Sequence, residues 1–104
     1  MIAKIAVAAA NFAIDKPYSY AVTDDLRLQP GMRVMVPFGR SNRRTKGVVL
    51  ALQEGDPTGL KAVDQQLDDA PVLSDVQLRL AEFVRQRYFC TYYEAISAML
   101  PAGL

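Results

Sequence analysis

Residues 31–39 read Gly-Met-Arg-Val-Met-Val-Pro-Phe-Gly, and Arg40, Arg43, Arg44 and Lys46 follow at once. Met32, Val34 and Val36 alternate with Arg33 and Met35, the period of a strand with one buried face. The strand is expected to stop at Pro37, leaving Phe38 exposed and Gly39 opening into a basic connection over residues 40–46. Cations beside an aromatic side chain meet phosphates and bases together. Just upstream, Pro30-Gly31 suits the central pair of a type II turn, proline fixing the first dihedral and glycine tolerating the positive one.

The same period recurs on either side. Ala3, Ile5 and Val7, then Tyr18, Tyr20 and Val22, then Val48, Leu50 and Leu52 each alternate with more polar or smaller residues. Glu54-Gly55-Asp56-Pro57-Thr58-Gly59 reads as a second exposed connection. Four or more short strands with tight connections predict a small, strongly twisted, barrel-like sheet over residues 1–67. From residue 74 the period changes. Ser74-Asp75-Val76-Gln77 is a capping-box start, and Val76, Leu80, Phe83, Val84 and Tyr88 share one face of a helix expected over residues 75–88. Thr91-Tyr92-Tyr93-Glu94 repeats the box, and Ile96, Met99 and Leu100 give a second helix ending at Leu100, before Pro101. The expected class is α+β, with the sheet followed by two helices that pack against its open end. Residues 1–104 read as one domain, β-rich over 1–67 and helical over 74–100.

Composition adds limits. At 104 residues, with 51% of the chain hydrophobic, there is material for one modest core. The net charge of +1 argues against coating nucleic acid by bulk electrostatics. Its distribution is uneven: residues 1–52 hold eight Lys/Arg against three Asp/Glu, and residues 53–104 hold four against eight. An anionic partner is therefore expected to meet the first half. With no histidine and a single cysteine, zinc sites, histidine-based triads and disulfide frameworks are excluded. Cys90, among Tyr88, Phe89 and Tyr92, reads as a small apolar core residue, and Tyr92-Tyr93 as helix packing. There is no nucleotide phosphate loop, no dinucleotide fingerprint and no paired carboxylates, so this chain is not expected to be an enzyme. Asn11 and Asp15 break the N-terminal apolar run, which points away from a spanning helix or secretory signal and towards the cytoplasm.

In order and spacing, Pro17-Tyr18-Ser19-Tyr20-Ala21-Val22, Gly31-x-Arg33-Val34-x-Val36-Pro37-Phe38-Gly39, Lys46-Gly47-Val48-Val49-Leu50, Leu60-Lys61-Ala62-Val63, Tyr92-Tyr93-Glu94 and Leu100-Pro101 form one series. Together they resemble the N-terminal domain of the PriA family of replication-restart DNA helicases, also called primosomal protein N′. The resemblance covers nearly the whole chain, and the Gly31–Gly39 segment is its most specific part. It implies that the chain is an N-terminal fragment of a larger helicase. ATP, magnesium and zinc would belong to later regions, with no cofactor in this one. It further implies a bacterial, nucleoid-associated DNA-binding domain that captures the 3′ end of a nascent leading strand at a stalled fork. Its partners would then be forked or 3′-ended DNA, the rest of the helicase chain, single-strand-binding protein and other primosome proteins. Carried over by position, the family's end pocket falls on Tyr18, Ser19, Gly39 and Lys61.

The residue types suit that role. A tyrosine ring stacks on any base, a glycine lets backbone approach a sugar or phosphate, and a lysine offers a mobile charge. Arg40, Arg43, Arg44 and Lys46 would hold phosphates further along the strand or on a duplex arm. Ser19 departs from the acidic residue common in the family, so either discrimination of a free 3′-hydroxyl weakens or backbone carbonyls carry it. Structural roles fit the same residues: Tyr18 as a half-buried sheet residue, Gly39 as a turn, Lys61 as a solvated charge, and the basic run as a protected sheet edge. Two other functions also fit. A general single-strand-binding barrel would line an open groove with Tyr18, Phe38 and residues 40–46. A protein-docking domain would have no affinity for DNA.

Overall fold

The computed structural model describes residues 1–10, 15–88 and 90–101. Five strands, β1 (Ile2–Val7), β2 (Tyr18–Ala21), β3 (Arg33–Phe38), β4 (Arg43–Gln53) and β5 (Gln65–Gln66), precede two helices, α1 (Asp75–Arg87) and α2 (Tyr92–Ser97). The strands form one antiparallel sheet in the order β2-β1-β4-β3-β5, so the class is α+β as the sequence predicts. The ladders do not close into a barrel. Instead, residues 61–64 stitch the two edges of the curled sheet together. The Ala21 amide donates to the Lys61 carbonyl and the Val63 amide to the Ala21 carbonyl, while the Asp64 amide donates to the Met35 carbonyl of β3.

Hydrophobic residues divide into two clusters where one core was expected. Ile5, Tyr20, Met32, Val34, Val36 and Val49 pack inside the curl. Ala6, Val48, Leu73, Leu78, Ala81 and Ile96 pack between the opposite face and the helices. The helices thus lie on a sheet face, not across an open end. A bulge explains how β4 serves both clusters. Ile5 pairs with Val49 but Lys4 with Ala51, leaving Leu50 as an extra residue. That insertion shifts the phase by one. Val48 and Leu50 therefore face the helices while Leu52 faces the inner cluster, and the expected shared face of the three is split.

The Pro30-Gly31 turn forms as predicted: Gly31 has φ 93°, and the Met32 amide donates to the Gln29 carbonyl. Strand β3 runs one residue past Pro37. Arg33 and Met35 turn their backbone groups towards residues 64–67, so by alternation Pro37 presents its missing N–H to an edge that no strand among the described residues pairs. The Pro37 carbonyl on that edge accepts the Tyr20 hydroxyl at 2.7 Å.

Both capping boxes are present, on Ser74 with Gln77 and on Thr91 with Glu94. Helix α2 ends at Ser97, and single i→i+3 turns at Met99 and Leu100 replace the expected continuation to Leu100. The buried face of α1 differs from the one read in the sequence. Leu78 and Ala81 are buried and Val84 packs beside them, whereas Val76, Leu80, Phe83 and Tyr88 are exposed. Arg85 sets this rotation. Its guanidinium pairs with the buried Asp15 carboxylate, which also accepts the Tyr92 amide at 2.9 Å, and turning Leu80 and Phe83 inward would strand that carboxylate. Tyr92-Tyr93 pack against the helical cluster as expected; Cys90 packs there too but is half-buried and not the core residue expected, and Phe89 lies outside the described residues. No helix among the described residues is long and apolar enough to cross a membrane.

Candidate nucleic-acid interface

Where β2 runs past residues 61–63 no described strand pairs its outer edge. Ala21 spends its N–H and C=O on Lys61 and Val63, and the two-residue alternation of a strand turns the N–H and C=O of Ser19 to the same side. Opposite stands the end of β3. Between them lies a pocket of about 350 Å³, walled by Tyr18, Ser19 and Tyr20 on one side and Phe38 and Gly39 on the other, with Gly59, Leu60 and Lys61 closing it. All four residues assigned to the end pocket, Tyr18, Ser19, Gly39 and Lys61, line this one cavity.

Each is held by an identifiable device. The Phe38 ring meets the Tyr18 ring edge to face, with centroids 5.0 Å apart, so Phe38 is half-buried support and not the exposed aromatic expected. Gly39 adopts φ 77° to begin the hairpin turn into β4, and the Asn42 amide closes the turn on its carbonyl. The Lys61 ammonium donates to that same carbonyl at 2.6 Å, tying the Gly59–Lys61 wall to the hairpin. Tyr20 is the floor. It is 3% exposed, and burial, with Tyr18 close by as a lesser cause, pushes its hydroxyl pKa up to about 12. It is therefore a neutral donor, already engaged by Pro37. Lys4 faces Ser19 across the β1–β2 ladder, and its ammonium donates to Ser19 Oγ at 2.7 Å. Lys16 lies over the Tyr18 ring, 5.4 Å from its centroid. Neither lysine was singled out in the sequence. Lys4 needed the strand register to place it, and Lys16 the path of the chain into β2.

The basic run is less unified than its spacing suggests. Only residues 39–42 form the connection, because Arg43, Arg44 and Lys46 already belong to β4. Arg43 pairs with Phe38 and shares its face, whereas Arg44 and Lys46, opposite Pro37 and Met35, lie on the other face. Arg44 is engaged by Asp64 and by Gln65, while Arg40, Arg43 and Lys46 form no ion pair among the described residues. Arg33 is engaged too, donating to Asp68 at 2.7 Å, and these hydrogen bonds hold the Asp68 carboxyl below its usual range. Acidic residues of the second half thus fold back onto arginines of the first. Among the described residues, the positive charge beside the pocket without a carboxylate partner belongs to Lys61 and to Arg40 and Arg43 of the adjoining hairpin. Among the described residues no group of His, Cys, Asp and Glu could hold a metal ion.

A family model described as 3′DNA-binding domain (3′BD) matches residues 4–101. The replication restart protein PriA of Bacillus subtilis is 36% identical over 107 residues, an alignment covering 98% of this chain and 13% of that protein. The replication restart protein PriA of Haemophilus influenzae is 30% identical over 102 residues, covering 97% of this chain and 14% of that protein. The chain therefore spans a small part of the length of these relatives, the part that is a DNA-binding and not a catalytic unit. It belongs to the 3′ DNA-binding domain family of PriA.

Proposed function

We propose that the pocket at the open edge of β2 takes the 3′-terminal nucleotide of a DNA strand, largely without regard to sequence. The observation that carries this reading is the convergence of the Tyr18 ring, the backbone edge of Ser19, which no described strand pairs, the Gly39 turn and the Lys61 ammonium on one cavity. The last base stacks on Tyr18, displacing Lys16 from the ring. Its sugar lies against the Ser19 edge and its phosphodiester meets Lys61. Stacking and backbone contacts are indifferent to which base is present.

Arg40, Arg43 and Lys46 hold phosphates further back, and Arg44 joins them only by leaving Asp64. A continuous cationic groove is disfavoured because these side chains are split over two faces. The strand captured is the nascent leading strand at a stalled fork. Residues 1–104 act as one domain that orients a helicase carried on the rest of a longer chain, in the bacterial cytoplasm. Single-strand-binding protein and other primosome proteins are its further partners.

Fluorescence anisotropy tests the reading with a labelled single strand and a circle of the same sequence. The linear strand should bind at least about tenfold tighter, with a shallow salt slope of roughly −0.7 per phosphate over two or three phosphates. Tyr18→Ala should weaken linear binding by about 1–3 kcal/mol, the worth of one stacked base. Equal affinity for circle and linear strand, with a steep salt slope, would assign the surface to general single-strand binding. No affinity for either would leave a docking domain.

A further inference from the structure

We infer that Tyr20 is a positioning residue for the strand end: its hydroxyl braces the two walls of the pocket at the span a terminal nucleotide needs, without itself contacting the strand. The inference rests on the strand-end reading above. Strands β2 and β3 carry the walls, yet β1 and β4 lie between them in the sheet, so the walls face each other only because the sheet curls. Residues 61–64 join the two strands at Ala21 and Met35. Beyond that join, among the described residues, no backbone hydrogen bond links Tyr18–Tyr20 to Pro37–Gly39.

Three side chains span the gap instead, and they meet three successive residues. The Pro37 carbonyl accepts the Tyr20 hydroxyl at 2.7 Å, the Phe38 ring meets the Tyr18 ring with centroids 5.0 Å apart, and the Gly39 carbonyl accepts the Lys61 ammonium at 2.6 Å. Two of these bridging groups are the ones the captured strand engages, since the base stacks on Tyr18 and the phosphodiester meets Lys61. Tyr20 has no such competing role. It is 3% exposed, and its one hydroxyl proton is committed to Pro37. With its pKa pushed up to about 12 by burial, that donor persists at neutral pH. The position of its acceptor matters, because Phe38 and Gly39 follow directly: a carbonyl fixed at Pro37 fixes where the hairpin wall begins. A pocket whose walls can part is competent only while they stand together, and apparent affinity falls by that fraction. One net hydrogen bond biases such an equilibrium by roughly two- to tenfold.

The test compares the wild type with Tyr20→Phe, which removes the hydroxyl and keeps the ring, and with Val49→Ala, a truncation in the same inner cluster but outside the pocket. Val49→Ala should lower the melting temperature at least as far as Tyr20→Phe, since it leaves a cavity at a fully buried site. Fluorescence anisotropy with the linear strand and the circle is then measured at low salt, at a temperature where circular dichroism shows all three proteins folded. Tyr20→Phe should bind the linear strand about three- to tenfold more weakly and the circle as the wild type does, so the linear-to-circle affinity ratio falls. Val49→Ala should leave that ratio unchanged. A Tyr20→Phe ratio within about twofold of the wild type's would overturn the inference and leave end capture standing. So would a ratio lowered as far by Val49→Ala, because the loss would then follow from any softening of the inner cluster. Equal binding of linear strand and circle by the wild type would overturn the strand-end reading itself.

Discussion

Gly31 and Gly39 both hold positive φ, at 93° and 77°, yet the same substitution should affect them very differently. In an L-residue the left-handed region costs about 1–2 kcal/mol, and that strain applies at both positions. At Gly39 it is nearly the whole effect, because an added Cβ would meet nothing within 4 Å. At Gly31 the Cβ would sit 2.1 Å from the Leu73 carbonyl oxygen and 3.2 Å from Pro71 Cβ. The contact is with backbone, so the turn or the segment leading into α1 must move. That segment is held by Gly31 itself, whose amide donates to Val49 at 2.7 Å and whose carbonyl accepts from Val72 at 3.0 Å. Weakening both bonds adds about 1 kcal/mol each. Gly31→Ala should therefore cost about 3–4 kcal/mol and Gly39→Ala about 1–2 kcal/mol. Urea unfolding followed by circular dichroism measures both. In thermal melts the difference should appear as roughly 8–16 °C, at about 4–8 °C per kcal/mol for a domain of this size. Equal losses, or a Gly31→Ala cost below about 1 kcal/mol, would refute the argument that Leu73 backs the turn. At a temperature where both variants are folded, only Gly39→Ala should weaken binding of a 3′-ended strand.

Three further outcomes follow from the packing and the ionised groups. Leu78→Ala should cost about 2–5 kcal/mol as a core truncation, whereas Leu80→Ala, at a side chain 49% exposed, should stay within about 0.5 kcal/mol; equal costs in urea melts would restore the helix face read from the sequence. Asp68→Asn should cost about 2–4 kcal/mol, somewhat under the 3–5 kcal/mol of breaking a fully buried pair. Because Arg33 lowers the folded pKa of Asp68, its contribution is present above the unfolded carboxylate range, about pH 4, and lost as pH falls through the lowered value, so the variant's stability should be less acid-dependent. Tyr20 carries the opposite sign: with a folded pKa of about 12, its contribution is complete below the unfolded value near pH 10 and is lost as pH rises towards the folded one, a loss that Tyr20→Phe should lack in alkaline denaturation.

Local chemistry made much of this chain legible before folding. Proline followed by glycine at residues 30–31 has few options besides the type II turn, and a hydroxyl three residues before Gln77 or Glu94 satisfies the same helix-end amides in any context. Period two likewise identified the inner faces of β1, β2 and β3, because alternation is a property of the single strand. The resemblance to the PriA family, and not local chemistry, pointed to Tyr18, Ser19, Gly39 and Lys61, which line the pocket. What failed depended on partners distant in sequence. The bulge at Leu50 exists only against β1, and the rotation of α1 answers to Asp15, seventy positions from Arg85. Arg44 looked like part of a binding rim until Asp64 came to lie beside it. Lys4 met Ser19 only when β1 and β2 came into register. The sequence by itself determined the turns, caps and strand faces, since these arise from interactions within a few residues. Tertiary structure decided which charges are spent and which remain, because a charge is neutralised by whatever the fold brings within about 4 Å, and sequence spacing carries no such distance.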